Sequence, residues 1–174
     1  MESLKDDYEI KLYTFAHLTP KSANDGIFQV SVKADKAWEY ILGMSGVGPF
    51  YLVKAGADYY ALTKRNFAQL FSPIEKQSEV LPYIDAFHYL FEKRLDRIVT
   101  EESGNTEYAK DQGPPEFTQI EERAEGFRIK LVTYSKNRIE AYFVKTVHVH
   151  INGRVDEVEP ERMLKKIGEG IHYY

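Results

Sequence analysis

A chain of 174 residues, 43% hydrophobic and 29% charged, has the length and balance of a globular domain that buries its own core, not of a disordered segment. Its formal net charge is -4, from 23 basic and 27 acidic side chains, so no positive excess draws it to nucleic acid or anionic lipid. It has no cysteine, which excludes disulfides, cysteine-ligated zinc, iron–sulfur clusters and thiol nucleophiles.

The N-terminal MESLKDDYEI is polar and acidic, without a signal-peptide core, and no apolar run approaches the length of a membrane span. A cytoplasmic protein with no membrane partner is the expectation. The 13 tyrosines and 10 phenylalanines suit half-exposed sheets, pocket walls and interfaces, where an amphipathic ring meets both apolar and wet surroundings.

In chain order, YEIKLYTFAHL (8–18) alternates and reads as a strand, PKSANDG (20–26) as a loop, and GIFQVSVKA (26–34) as a second strand. ADKAWEYIL (34–42) reads as a helix that Asp35 can cap, with Ala37, Trp38, Ile41 and Leu42 on one stripe. The glycines of GMSGVGP (43–49) follow a helix and lack the closing lysine–hydroxyl pair of a phosphate loop, so they read as a helix stop. PFYLVKAGADYYALT (49–63) has the pattern of a hairpin, and LTKRNFAQLFSP (62–73) that of a short helix.

SEVLPYIDAFHYLFEKRLDRIVTEE (78–102) predicts the longest helix, with Leu81, Ile84, Phe87, Phe91, Leu95 and Ile98 recurring at three and four and Pro82 in the first turn. His88 and Glu92, four apart on it, read as a solvated contact. ESGNTEYAKDQGPPE (102–116) reads as a mobile loop between a mixed half, 8–100, and an antiparallel meander, 117–170. Four strands are expected there: 117–126, 127–135, 138–151 and 154–160. PERMLKKIGEG (160–170) then reads as a short helix opened by Pro160.

KTVHVHINGRVDEVEPE (145–161) holds two of the five histidines just before an Asn-Gly turn. A two-residue loop at Asn152-Gly153 pairs His150 with Val155 and His148 with Glu157, so both imidazoles and the Glu157 carboxylate share a face. A two-residue joint at Lys136-Asn137 sets Leu131 against Tyr142 and Ile129 against Val144. Phe127, Ile129, Leu131, Tyr142, Val144 and Thr146 then line the approach to the histidines as candidate ligand-binding residues. His148, His150 and Glu157 could act as an acid–base group or ligate a divalent first-row metal. The His-x-His string resembles that of cupins, but the cupin glutamate, four or five residues after the second histidine, is replaced by Arg154 and Val155, so membership is not inferred.

The expected fold is therefore α+β: a single domain, 1–174, with a curved, mainly antiparallel sheet and three or four packed helices. The leading functional expectation is a non-enzymatic binding or protein-interaction domain with an aromatic-lined pocket or interface and no cofactor. Its partner would be a protein, a second copy of the chain or a small apolar or aromatic ligand. The rival expectation is an enzyme built on the His-His-Glu face.

Overall fold

The computed structural model describes residues 8–15, 17–22, 25–32, 50–55, 57–92, 96–101, 115–135 and 139–169. They fall into two compact units, Met1–Phe71 and Ser72–Tyr174.

The first unit is a four-stranded antiparallel meander followed by a helix. Its strands are β1 (Tyr8–Tyr13), β2 (Gly26–Val32), β3 (Phe50–Ala55) and β4 (Asp58–Ala61), paired in sequence order. β1 alternates apolar and polar residues while β3 is apolar on both sides, and the register sorts the side chains of all four onto two faces. Ile27 and Val53, directly opposite one another, are buried on one face. Helix α1 (Lys64–Phe71) buries Phe67, Leu70 and Phe71 along one stripe. Its start is a reciprocal cap: the Asn66 Oδ1 accepts from the Thr63 N–H at 2.7 Å, and the Thr63 hydroxyl accepts from the Asn66 N–H at 3.2 Å.

The second unit opens with helix α2 (Gln77–Phe87), continued by a π turn over His88–Glu92. At its start the Glu79 carboxylate accepts the N–H groups of Glu75 and Lys76 at 3.1 and 3.3 Å. A five-stranded antiparallel sheet follows: β5 (Arg97–Ile98), β6 (Gln119–Arg123), β7 (Gly126–Ser135), β8 (Ile139–His150) and β9 (Val155–Glu169). The outer edge of β7 is shared, β6 taking Gly126–Lys130 and β5 taking Thr133 and Tyr134. Between them the Val99 N–H donates to the Val132 carbonyl, and the Thr118 hydroxyl bonds both the N–H and the carbonyl of Val132 at 3.0 and 3.1 Å.

One face of this sheet carries the core, with Phe127, Ile129, Leu131, Val147 and Val149 all buried. Val80, Ile84 and Phe87 of α2 are buried as well. Tyr83 is fully buried, donates its hydroxyl proton to the Gly153 carbonyl at 2.6 Å, and has its phenol pushed far above the ordinary tyrosine range by that burial.

Several expectations are corrected. Among the described residues the expected α+β fold with three or four packed helices gives way to two antiparallel sheets, of four and five strands, and two helices, the longer of 16 residues with its π turn. The helix expected over 78–102 stops as such at Phe87, Pro82 sits inside it, and Arg97–Ile98 is already strand, drawn to the open edge of β7. The helix expected over 160–170 is the second half of β9. Its Met163, Leu164 and Ile167 spacing suits a helix, but β8 runs twelve residues, and a helix from Pro160 would strand half of its backbone groups in a buried sheet. β9 satisfies them with four register shifts, bulges that bend an edge strand and leave room for a proline without a ladder N–H. The expected helix at 34–42, the glycine segment 43–49 and positions 102–114 of the expected loop lie outside the described residues.

Candidate functional site

The β8–β9 turn decides the histidine face. His150 N–H donates to the Arg154 carbonyl and Gly153 N–H to the His150 carbonyl, both at 2.8 Å, so the loop is Ile151-Asn152-Gly153, one residue longer than expected. Gly153, at φ 80°, takes the left-handed position that closes such three-residue loops. The Asn152 side chain accepts the Arg154 N–H at 3.0 Å. One extra loop residue changes every facing downstream. Asp156, not Glu157, stands opposite His148, while Glu157 stands opposite Val147 and is exposed on the other face. The expected His148–His150–Glu157 group is not assembled, and among the described residues no three His, Asp or Glu side chains are placed to hold a metal ion.

The β7–β8 register differs by an odd number as well. Phe127, Ile129 and Leu131 oppose Val149, Val147 and Lys145, which puts all three on the core face, away from the histidines. Tyr142, Val144 and Thr146 keep the histidine face, since they share a strand with His148 and His150 at even spacing, but their β7 neighbours are Tyr134, Val132 and Lys130. An apolar stretch does exist on this face: Val132, Tyr142 and Val144 join Val99 in a small buried cluster, with Phe117, Tyr134, Leu164 and Ile167 packed against it. Protein side chains thus fill the place where a ligand was expected.

At the turn end the face is polar. The His148 and His150 rings lie 4.3 Å apart, tilted by 42°. His150 Nε2 is 2.8 Å from Asp156 Oδ2 and 2.9 Å from an Arg154 guanidinium nitrogen, which itself reaches Asp156 at 2.8 Å. A guanidinium only donates and a carboxylate only accepts, so Nε2 serves one of them at a time, according to whether it carries a proton. The hydrogen bond from His150, with Arg154 beside it, holds the Asp156 carboxyl below its usual range. Glu159 accepts from the Thr146 hydroxyl at 2.8 Å and faces Arg128 at 3.4 Å. The grooves beside these residues are shallow, about 450 Å³ where Arg128 and His148 contribute and about 560 Å³ where His150 and Asn152 do. This is a neutralised polar rim, with each arginine matched to an acid.

A second polar cluster went unforeseen. Lys145 lies on the core face with its side chain only 5% exposed, its ammonium 3.2 and 3.4 Å from the two Glu92 oxygens. His88, also buried, brings Nε2 to 3.7 Å from the same carboxylate. The π turn places His88 and Glu92 over β8, so the pair read as a solvated contact is largely enclosed. The signal was present: Lys145 interrupts the inward phase Phe143, Val147, Val149, and a cation there needs an acid from a covering element.

Comparison with known protein families, with curated proteins and with solved structures finds no match. Among the described residues no helix is long and apolar enough to cross a membrane.

The third candidate lies in the first unit and is apolar. Ile10, Leu12 and Tyr59 are 51%, 59% and 46% exposed, and the strand register sets all three on one face of the sheet. Half-buried Phe28 and Leu52 lie between them, and Val30, opposite Ile10 on the same face, is buried; Phe28 meets Tyr59 edge-on at 5.6 Å. Leu12 lies over Gly26, where a Cβ would come within 3.0 Å of its Cδ1. Among the described residues of this face only Lys54 is charged. Tyr60, 51% exposed, points to the opposite face.

Proposed function

We propose that the protein is a non-enzymatic interaction module whose recognition surface is this apolar face of the first sheet. The observation that carries the reading is the exposure of Ile10, Leu12 and Tyr59 together, in register, around the Phe28–Tyr59 ring pair. Scattered apolar residues are ordinary on a surface, but a contiguous set with an aromatic at its centre is the composition of an interface core. Among the described residues the face is a sheet surface without an enclosing wall, so it suits a broad protein partner better than a small molecule. That partner would offer an apolar patch with an acidic group at the margin where Lys54 stands. The histidine face supports catalysis less, since its acids are matched to arginines and its apolar stretch is already covered.

A photo-crosslinking amino acid at position 59 tests this reading. The expected result is a discrete adduct to a different protein, identified by mass spectrometry and rebuilt from purified components. In that complex Leu12→Lys and Tyr59→Lys should each weaken binding by about tenfold or more, the cost of truncating an interface anchor. No discrete adduct, or a rebuilt complex indifferent to both substitutions, overturns it.

A further inference from the structure

We infer that β1 pairs with β1 of a second copy of this chain, antiparallel and centred on Ile10, so that two four-stranded sheets join edge to edge. Among the described residues β1 bonds only to β2, and its other edge carries no bulge and no proline, two devices that commonly blunt an exposed strand. The residues on it are self-complementary. Antiparallel pairing about a two-fold axis at Ile10 sets Ile10 opposite itself and Glu9 opposite Lys11 of the partner subunit, with the reciprocal pair generated by symmetry. Glu9 and Lys11 are exposed, and within one chain they pair with each other at 2.9 Å, so they can turn to each other's counterparts. Opposite charges directly across a ladder are favourable and like charges unfavourable. On the other side of the strand Ile10, 51% exposed, meets its own copy, so apolar surface is buried where the charges are not. A shift of the axis by one position to Lys11 would oppose Lys11 to itself, and a shift to Glu9 would oppose Glu9 to itself; only Ile10 matches both.

The inference shares Ile10 with the recognition face but rests on the backbone rim of the sheet and on the Glu9–Lys11 complementarity, and it leaves Tyr59 open. Sedimentation equilibrium of the full chain should show a dimer. Lys11→Glu places two like-charge contacts across the axis and should raise the dissociation constant on the order of tenfold, less at high salt. Glu9→Lys should do the same, and the double exchange E9K/K11E should restore the dimer, because the exchanged pair is again complementary. Both side chains are exposed, and circular dichroism verifies that each variant is folded. As a second measurement, Ile10→Cys in a chain that has no other cysteine should give an interchain disulfide, since residues directly opposite lie roughly 5 Å apart at Cα. Thr14→Cys, roughly 25 Å from its counterpart, should not. A monomer at all concentrations, a dimer unmoved by Lys11→Glu, no rescue by the double exchange, or cross-linking at 14 in place of 10 each overturns the inference. A monomer that still gives a foreign adduct at position 59 would sink the dimer alone and leave the recognition surface standing.

Discussion

The two sheets are both antiparallel meanders, yet they treat their surfaces differently. The C-terminal sheet is closed where it can be. Its core face is buried, part of its other face is covered by the Val99–Tyr142 cluster, and the outer edge of β7 is shared between β5, β6 and the Thr118 hydroxyl. Its last strand is kept from further pairing by four register shifts, Pro160 and a run of charges. The N-terminal sheet buries only Ile27 and Val53 on one face and Val30 on the other, and leaves Ile10, Leu12 and Tyr59 exposed, beside an edge strand that among the described residues pairs on one side alone. Among the described residues one sheet is guarded and the other keeps exposed apolar side chains, and that difference is what the proposed recognition surface rests on.

The contrast can be broken most severely at Gly126. Its φ is 143°, and a Cβ there would lie 2.1 Å from the Val149 carbonyl oxygen, a backbone atom that cannot turn aside. Gly126→Ala should cost about 2–4 kcal/mol by urea unfolding, from strain and steric displacement together. Lys145 comes next. Lys145→Ala should cost about 1–3 kcal/mol, mostly from the space its buried stem vacates, because the partly exposed Glu92 can rehydrate. Lys145→Met, which fills that space, should stay within about 1 kcal/mol of the wild type; a much larger loss would mean the ion pair itself holds the π turn over β8.

A smaller effect is expected at the polar rim. The Asp156 carboxyl titrates lower in the folded chain than in the unfolded one, so its contribution is present above the ordinary aspartate range and fades as pH falls through the depressed value. The side chain is 46% exposed, so solvent screening keeps that contribution under about 1 kcal/mol. Asp156→Asn should therefore lower stability slightly at neutral pH and flatten the acid limb of the stability curve, read by denaturant titration at stepped pH. Least of all, Leu12→Lys should leave the free chain within about 0.5 kcal/mol of the wild type, since an exposed position gives up little burial. A large loss there would show that the face is needed for folding and would remove the reason to assign it a partner.

Much of the architecture was legible. β1 to β4, α1 and the meander through β8 follow from alternation, turn residues and a helical stripe. The misreadings share one cause. Periodicity cannot tell a helix from a strand when the apolar residues fall at positions 163, 164 and 167, and it does not reveal that twelve residues of β8 wait for a partner. The site was misjudged by single residues. Asn-Gly does announce a turn, but the loop begins at Ile151, and that one position exchanges Glu157 for Asp156 beside the histidines. The Lys145 cluster could have been found from a lysine in an apolar phase.

The amino-acid order by itself determined which segments alternate, where the chain turns, and that cysteine chemistry plays no part, because these depend on neighbours within a few residues. The pairing of β9 along the whole of β8, the facing of His148 and His150, the enclosure of Lys145 with Glu92 and the exposure of Ile10, Leu12 and Tyr59 were decided only by the tertiary structure. Each depends on register between distant strands or on what a helix happens to cover, and a shift of one residue, too small to change any local preference, reverses the outcome.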